Sequence, residues 1–433
     1  MIGFPVRHID LSAVRADTHA GDASAFSIFW WKDLPLGMRA SLPDELPFGA
    51  AQLRQFAADY VAAQLAARSP AFGAPLRATF EGWPKRALTM ANVLEAGDHL
   101  IEEMERLAAA IAVSAEDVSV VICTRDRGEA LAECLKSVTA QLSAPGEIVV
   151  VDNSRDGNAE PICRRFPGVR HLHEPRPGLS IARNAGIRAS RGEIVAFTDD
   201  DVELHPRWTS EVARAFADQS IDALTGLVLP ARLDTPAQCI FQFDMGGFGT
   251  NFVPVRFDRR FFEETRPNGA HVWKIGAGAN MAFRRKLFER IGLFDERLGA
   301  GAAGCSEDSE LWYRLLARGG ACLYEPRAVV FHHHRKDLPE LRRQVRSYMR
   351  GHVAALVTQY DESGDRGNLV RIFGQLPVYF LKGFLKRLLE GGRGRPGTLT
   401  AEVAGWAAGL QFLFRSSWRR QRAPRLLADG GVP

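Results

Sequence analysis

Short β-branched runs alternate with longer helical stretches between residues 118 and 228, and this alternation constrains the fold more than any other feature. The runs read VSVVIC, EIVVVD, VRHLHE and EIVAF. Strands that alternate with helices predict βαβ units and a mainly parallel sheet with helices on both faces. VSVVIC and EIVVVD are apolar at successive positions, which is typical of strands buried on both sides. An α/β fold is therefore predicted for this part of the chain.

Polar side chains close three of these predicted strands. Thr124 and Arg125 follow the first strand, Asp152 ends the second, and Asp199 ends the fourth. In an open parallel sheet the ligand crevice lies beyond the carboxyl ends of the strands. We therefore expect these side chains to line one site.

The remainder of the chain divides around this region. Residues 1–115 contain a predicted strand at FSIFWW, a turn-like DLPLG and two helical stretches. They predict a small N-terminal α/β unit, and their sequence assigns no function to it. Residues 116–337 hold the α/β core. Residues 338–433 show helical periodicity interrupted by GGRGRPGT, which predicts a helical C-terminal extension.

Composition excludes several classes of protein. A formal charge of +4 over 433 residues is too small to argue for nucleic acid as a partner. The six cysteines form no CxxC pair, so a disulfide framework or a structural zinc site is not expected. The chain starts without a basic segment followed by an apolar one, which argues against a signal peptide, and a reducing, cytoplasmic setting is the expectation.

Membrane association has two competing interpretations. No window reaches the roughly 18 unbroken apolar residues that a spanning helix needs. Residues 378–389 nevertheless mix Tyr, Phe and Leu with Lys and Arg, and residues 415–425 add a Trp among arginines. Such a mix suits a segment lying on an anionic surface, at the inner face of the membrane, but it also suits a helix packed on the catalytic domain.

The acidic run Asp199, Asp200 and Asp201 also has two interpretations. Adjacent carboxylates repel one another, and a bound cation that prefers oxygen ligands, Mg²⁺ or Mn²⁺, would hold them together. The alternative is a solvated acidic turn with a helix-capping role. The run alone does not decide between them.

A second acidic pair, Glu307 and Asp308, begins a predicted helix that Ser306 is placed to cap. Acidic residues in a first helical turn complement the helix dipole whatever else they do. Near a metal site, a carboxylate there can also accept a proton from a hydroxyl, which is the general-base role.

Three histidines close the predicted strand EPRAVVF. Imidazoles at a strand end can ligate a metal, which makes His332 and His334 candidate ligands. His333 points to the other side of the strand and is predicted to be structural or exposed.

The segment PRPGLSIARNAG predicts a Pro/Gly turn followed by a helix that carries Arg183 and Asn184. A helix start and an arginine both favour phosphate, although a surface loop with an incidental Arg is the plainer interpretation. The chain has no GxxxxGK[ST] loop, and no GxGxxG follows the first strand. P-loop NTPase and dinucleotide-binding interpretations are therefore poorly supported.

Taken in order, seven segments resemble the successive motifs of glycosyltransferase family 2, which has the GT-A fold. They are VSVVICTRDR, EIVVVDNS, PGLSIARNAGI, IVAFTDDDV, GAGANMAFRR, IGLFDERLG and SEDSELWYRLLARGG. The likeness spans roughly residues 117 to 335. It implies a nucleoside diphosphate sugar as donor, a divalent metal (Mn²⁺ or Mg²⁺) as cofactor, and transfer to a hydroxyl of a glycan or lipid-linked acceptor.

The resemblance also implies roles for individual residues on the donor side. Thr124, Arg125 and Asp200 would contact the nucleotide sugar, and Asp152 would read the base. Arg183 would face the pyrophosphate or the base.

The metal and the base follow from the same resemblance. Asp201 would be the main metal ligand, with Asp199 towards the ribose and the metal shell, and His332 or His334 would close the metal site. Asp308 matches the catalytic base, with Glu307 beside it. The first strand ends in Cys-Thr-Arg-Asp where many relatives have Pro-Thr-Tyr-Asn, so the base preference cannot be carried over.

The acceptor side is less defined. The loop at residues 244–268 is rich in Gly, Phe and Arg and is a candidate acceptor wall. Many bacterial members of the family build surface polysaccharides or lipid-linked glycans. By analogy with them, a role in building the cell envelope is expected.

These expectations describe a single-displacement reaction that inverts the anomeric centre. A non-catalytic nucleotide-sugar-binding protein of the same fold is the first alternative, although binding alone does not need Asp308. A nucleotidyltransferase is the second, and it would be expected to have a Gly-rich basic loop after the first strand. CTRDRGEA offers only one Gly at that position.

Overall fold

The computed structural model describes residues 3–13, 24–68, 90–109, 114–249, 251–389, 398–414 and 422–424. The strands within these ranges are β1 Val6–Asp10, β2 Ala25–Trp31, β3 Leu34–Ser41, β4 Val118–Thr124, β5 Glu147–Asp152, β6 Val169–His173, β7 Ile194–Asp199, β8 Val202–Leu204, β9 Ala223–Pro230, β10 Val255–Phe257, β11 Asn280–Arg284 and β12 Cys322–His332.

The α-helices are α1 Ala50–Arg68, α2 Met90–Ala109, α3 Gly128–Thr139, α4 Glu160–Cys163, α5 Leu179–Ala189, α6 Trp208–Ala215, α7 Pro236–Cys239, α8 Arg259–Thr265, α9 Leu287–Ile291, α10 Glu307–Ala317, α11 Leu338–Ser363, α12 Gly367–Val370, α13 Leu376–Leu389 and α14 Thr398–Phe414. Two π-helical turns occur, at Ile240–Asp244 and Arg371–Gln375. The alternation of strands and helices follows the predicted order from β4 to α6.

The central sheet confirms the predicted α/β fold. In the part of the chain that the structure describes, this sheet has nine strands in the order β10-β12-β9-β11-β7-β4-β5-β6, and β8 pairs with β12. The strands β4, β5, β6, β7, β9 and β12 run in one direction, and β8, β10 and β11 run against them. The sheet is therefore mainly parallel, as predicted.

Helices cover both faces of this sheet. On one face α3 buries Leu131, Leu135 and Val138 against β4 and β5. On the other face α5 and α10 bury apolar side chains that include Ile187 and Leu311. Because both faces are covered, the central strands are apolar at successive positions.

The N-terminal segment forms a separate three-stranded sheet in the order β1-β2-β3. The turn predicted at DLPLG is shorter than expected, because only Lys32 and Asp33 turn and Leu34 already begins β3. Lys32 adopts a positive φ of 53°, which lets the two strands reverse direction at once. Arg68 of α1 pairs with Glu325 of β12 at 2.8 Å and ties this segment to the central sheet.

The C-terminal helices pack on the segment that precedes α10. The glycine at Gly351 in α11 lies against the backbone of Cys305 so closely that a Cβ there would collide with it. Helix α14 packs along α11, and Phe412 is buried between them. The domain boundaries at residues 115 and 337 stay a prediction.

Helix α13 presents an unusual surface. Phe380 is buried, whereas Leu381, Leu385 and Leu388 are exposed by half or more of their area. No helix in the described ranges is both long and apolar enough to cross a bilayer.

Candidate active site

The ends of three parallel strands meet at one edge of the sheet, as expected. Thr124 at the end of β4 is paired in register with Asp152 at the end of β5. On its other side Cys123 is paired with Asp199 at the end of β7. Register therefore brings the residues predicted from strand ends together at this edge.

The acidic run is held by an arginine as well as by a threonine. Thr124 donates its hydroxyl to Asp200 Oδ2 at 2.8 Å. The Nη1 of Arg127 donates to Asp200 Oδ1 at 2.8 Å and to Asp201 Oδ2 at 2.9 Å. Burial and the neighbouring carboxylate of Asp201 nevertheless raise the pKa of Asp200 to about 6. The positive charge of Arg127 therefore does not fully offset the effect of burial and of the Asp201 charge on the Asp200 carboxylate.

Basic side chains surround the Asp201 carboxylate. Its Oδ1 lies 3.4 Å from His332 Nε2, and its Oδ2 lies 3.5 Å from Arg335. Burial alone would raise the pKa of Asp201, but His332, Arg127 and Arg335 lower it below its ordinary value. Asp201 is therefore anionic and directed at an imidazole nitrogen, which suits a metal ligand.

The two histidine candidates differ in position. His332 faces Asp201, whereas His334 lies behind it, with the two Nδ1 atoms 3.0 Å apart. The Nε2 of His334 lies 3.4 Å from Gln242 Oε1. Burial lowers the pKa of both imidazoles, that of His334 to about 3, so both are neutral at pH 7. His333 contacts Glu203 at 2.6 Å on the other side of the strand, where it was predicted to lie.

Arg183 connects the two acidic motifs. Its guanidinium is buried and donates to Glu307 Oε1 at 2.5 Å through Nη1 and to Asp199 Oδ1 at 3.3 Å through Nη2. The ring of Phe294 lies 5.6 Å from the guanidinium carbon. Burial alone would lower the pKa of Arg183, but the carboxylates of Glu307 and Asp199 raise it. The arginine is thus a fixed cation between the end of β7 and the start of α10.

Asp308 is oriented by backbone groups. The N–H of Gly278 donates to its Oδ2 at 2.9 Å, and the N–H of Ser309 donates to its Oδ1 at 2.6 Å. Burial raises the pKa of Asp308 above its ordinary value, and that of Glu307 to about 7. The second oxygen of Glu307, Oε2, has no hydrogen-bond partner among the described residues.

The predicted cap of this helix is wrong. Ser306 stands at the N-cap with a positive φ of 68°, and its side chain makes no capping hydrogen bond. Its hydroxyl lies 3.2 Å from the thiol of Cys305 instead. The left-handed backbone turns the chain sharply into α10, so the hydroxyl cannot reach the N–H groups of the first turn.

Two predicted donor-side residues lie away from this cluster of contacts. Both oxygens of Asp152 are occupied, by Ser154, by the N–H of Ala159 at 2.7 Å and by His171 at 3.3 Å. Burial alone would raise the pKa of Asp152, but these hydrogen bonds lower it. Arg125 is exposed and lies 3.8 Å from Asp126. The roles of both in binding a nucleotide stay predictions.

Comparison with known proteins adds to this geometry. Residues 119–292 match the family model described as glycosyl transferase family 2. The chain contains a glycosyl transferase family 2 domain. The matched residues include the acidic run and Arg183, whereas Asp308 and His332 lie beyond them.

Known relatives of this family 2 domain cover parts of the chain. A glucosyl-dolichyl phosphate glucuronosyltransferase of Haloferax volcanii is 27% identical over 191 residues, which are 42% of this chain and 57% of that protein. The glycosyltransferase AglE of the same organism is 26% identical over 278 residues, 62% of this chain and 82% of that protein. The first alignment thus spans little more than half of the relative's length.

A solved structure is also similar. It is a mannosyltransferase of Pyrobaculum calidifontis in complex with GDP-Man and Mn²⁺, with a TM-score of 0.46 and 17% sequence identity. The match covers 74% of this chain and 94% of that chain.

The charges of the candidate site fit a divalent cation. The site contains five carboxylates and three guanidinium groups, which are Asp199, Asp200, Asp201, Glu307, Asp308, Arg127, Arg183 and Arg335. If all of these are ionised, two negative charges remain unbalanced within the set. A divalent cation would offset that excess.

The donor set leaves part of a coordination shell to other ligands. Among the described residues, no three His, Cys, Asp or Glu side chains gather into a metal cage. Asp201 and His332 face each other closely enough to supply two ligands. Mg²⁺ and related cations are commonly held by one or two carboxylates together with water and substrate phosphates. The residues therefore fit a metal that binds with a diphosphate.

Several residues of the site were missed from the sequence. Arg127 is the last residue of the recognised segment VSVVICTRDR, and Arg335 directly follows the three histidines, so the position of each along the chain was an available signal. Tyr348 of α11 had no such signal. Burial raises the pKa of Tyr348, whose hydroxyl accepts a hydrogen bond from Gln344 Nε2 at 2.6 Å and whose carbonyl lies 3.3 Å from the Cys305 thiol, next to the start of α10.

Proposed function

We propose that this protein is a metal-dependent, inverting glycosyltransferase that moves a sugar from a nucleoside diphosphate donor to an acceptor hydroxyl. The observation that carries the proposal is the buried Arg183, whose guanidinium contacts both Asp199 and Glu307. This contact joins the acidic run and the helix carrying Asp308 in a single site. A site that only binds a nucleotide sugar does not need Asp308.

The donor is proposed to lie at the carboxyl ends of β4, β5 and β7. Developing negative charge on the leaving diphosphate needs fixed positive charge near it. Arg127 and Arg183 are candidates to supply that charge, since both are already positioned by carboxylates. A divalent cation held by Asp201 and His332 would, when bound, act as a Lewis acid towards the diphosphate.

Asp308 is proposed to take the proton of the attacking hydroxyl. Its Oδ2 accepts one hydrogen bond, from Gly278, and a carboxylate oxygen has room for more than one donor. The raised pKa of Asp308 makes it a stronger base than an exposed aspartate. A single attack on the face opposite the leaving group inverts the anomeric centre.

The class of reaction can be tested without knowing the acceptor. Purified protein with Mn²⁺ is screened against a panel of nucleoside diphosphate sugars for hydrolysis and for a rise in Tm. We expect one or a few donors to give both signals and EDTA to remove the hydrolysis. If no nucleoside diphosphate sugar raises the Tm or is hydrolysed, the proposal is wrong.

A contact with the inner face of a membrane is the second part of the proposal. Its support is α13, where exposed Leu381, Leu385 and Leu388 stand beside Lys382 and Lys386. Exposed apolar side chains with lysines suit an interface rich in anionic lipid. Flotation with anionic vesicles at low salt should recover the full chain, and the double substitution Leu385→Glu, Leu388→Glu should abolish recovery. Equal recovery of both proteins would contradict this part alone.

A further inference from the structure

Three side chains gather around the indole of Trp273, and no role has been assigned to this group. We call this group the Trp273 cluster; it consists of His271, Trp273, His352 and Arg371. The guanidinium carbon of Arg371 lies 4.4 Å from the centre of the Trp273 ring. The rings of His271 and His352 each lie 4.8 Å from it. One aromatic side chain therefore contacts a guanidinium and two imidazoles, and burial lowers the pKa of both imidazoles, that of His352 to about 3.

The cluster has no negative counterpart. Among the described residues, no carboxylate lies within ion-pairing distance of His271, His352, Arg371 or the neighbouring Lys274. Burial lowers the pKa of Arg371, with no carboxylate acting against it. Arg371 Nη1 donates to Gln375 Oε1 at 3.0 Å, but an amide oxygen carries no net charge. A guanidinium that is partly removed from water and has no counter-charge is costly unless a ligand supplies that charge.

Hydrogen-bonding capacity in the cluster is also unused. The Nε of Arg371 and the Nε2 atoms of His271 and His352 are buried and have no hydrogen-bond partner among the described residues. Buried polar nitrogens are nearly always partnered, so three such atoms in one place call for a ligand. All four side chains are partly exposed, so a molecule from solvent can reach the edge of the cluster, although these three nitrogens are themselves covered.

Two backbone connections set the cluster beside the proposed base. Trp273 is followed within five residues by Gly278, whose N–H holds Asp308. His352 is adjacent to Gly351, which packs on the backbone of Cys305, three residues before Asp308. Five residues of chain span at most about 18 Å, so a group bound at the cluster is within an acceptor's length of Asp308.

We propose that the Trp273 cluster is an acceptor subsite that binds a phosphate group of the acceptor. The inference rests on the proposed transferase function, because it assigns the substrate that meets Asp308. Arginine offers paired N–H donors that match phosphate oxygens, and the two imidazoles add further donors. Arg371 also begins the π-helical turn that leads into α13, so an apolar chain attached to the phosphate would meet the exposed face of that helix.

The test measures binding of phosphates to the full chain by calorimetry. The probes are phenyl phosphate, farnesyl phosphate and the neutral alcohol farnesol, below its solubility limit. We expect both phosphates to bind and Arg371→Gln to weaken them by at least about tenfold, since hydrogen bonds to a charged group are lost. Arg371→Lys should lose less, and Arg366→Gln, an exposed arginine five residues earlier, should change nothing.

Control measurements separate the possible outcomes. His352→Gln should also weaken phosphate binding, and it replaces Arg371→Gln if that variant has a lowered Tm. Much tighter binding of farnesyl phosphate than of phenyl phosphate assigns a lipid phosphate, and equal binding assigns a soluble phosphorylated acceptor. Phosphate affinity that is unchanged in both variants, or no binding of either phosphate, overturns the subsite.

Donor hydrolysis with Mn²⁺ is measured on the same proteins. If hydrolysis survives in Arg371→Gln while phosphate binding is lost, the subsite is supported. If the unmodified protein binds phosphates at the cluster but hydrolyses no donor, the transferase proposal fails and the anion site stands.

Discussion

The backbone N–H of Gly278 donates to Asp308 Oδ2 at 2.9 Å, across 30 residues of sequence. This hydrogen bond orients one carboxylate oxygen of the proposed base from the loop that precedes β11. The same loop carries Trp273, so base and proposed acceptor subsite share one support. Displacement of the loop should therefore disturb acceptor use before it disturbs donor binding.

Replacement of Asp308 by asparagine tests its role as base. Asp308→Asn keeps the shape of the side chain but cannot take a proton, so turnover should fall by about 10²- to 10⁴-fold. Affinity for the donor should remain, because the base acts on the acceptor in the transition state. Initial rates and donor titration by calorimetry measure the two effects. Near-normal turnover would show that another group is the base.

The pH dependence of transfer gives an independent test. Because burial raises the pKa of Asp308, its base form disappears at a higher pH than that of an exposed aspartate. The rate kcat/KM should therefore fall as the pH is lowered through this raised pKa. Glu307 and Asp200, with pKa values of about 7 and about 6, titrate in the same range. In the pH profile of Asp308→Asn, the fall in kcat/KM caused by protonation of Asp308 should be absent, and the falls caused by Glu307 and Asp200 should remain.

The metal prediction distinguishes two histidines that look equivalent in the sequence. His332 faces Asp201 at 3.4 Å, whereas the ring nitrogens of His334 lie beside His332 and Gln242. Asp201→Asn and His332→Ala should each weaken Mn²⁺ binding strongly. His334→Ala should weaken it by about 10- to 100-fold at most, as for a group that only orients a ligand.

Electron paramagnetic resonance of free Mn²⁺ measures this affinity without any substrate, and it is repeated with a nucleoside diphosphate present. His333→Ala is the matched control, because His333 points to Glu203 on the other side of the strand. A larger loss for His334→Ala than for His332→Ala would reverse the assignment.

Local features could be predicted from the sequence, and contacts between distant segments could not. The strands β4, β5 and β7 and their polar ends were readable because apolar runs and strand ends are short-range patterns. The partner of the acidic run was not, since Arg127 meets Asp200 and Asp201 only after the chain returns 73 and 74 residues later. From the sequence, a bound metal ion was expected to offset the charge of the three carboxylates. In the structure, Arg127 supplies part of that positive charge.

The limits are clearest at the far end of the chain. Tyr348 and Gly351 meet Cys305 because α11 packs on the segment before α10, and no pattern within α11 predicts that contact. Asp152 illustrates the opposite case. Its position at a strand end was read correctly, but its hydrogen bonds with Ser154, Ala159 and His171 depend on how the following loop folds back.

The last prediction concerns the buried pair of Arg183 and Glu307. Its variants distinguish a contribution to the free energy of unfolding from a contribution to donor binding. Both side chains are almost wholly inaccessible, so removal of one leaves an uncompensated charge in the interior. Glu307→Ala or Arg183→Ala should lower the free energy of unfolding by about 3–5 kcal/mol. Glu307→Gln should cost less, because a neutral amide can still accept a hydrogen bond from Arg183.

The double variant Arg183→Leu, Glu307→Leu removes both charges and fills the space with apolar atoms. Its loss of stability should be well below the sum of the losses for Arg183→Leu and Glu307→Leu made singly, since neither charge is left unpaired. Urea unfolding of the unmodified protein, the two single leucine variants and the double variant measures the coupling, and Arg164→Ala with Glu160→Ala, an exposed pair, is the control. Additive losses at Arg183 and Glu307 would mean that the two do not act as a pair. If Arg183 also serves the diphosphate, the double variant should be stable yet fail to bind the donor, a combination that a purely structural pair would not produce.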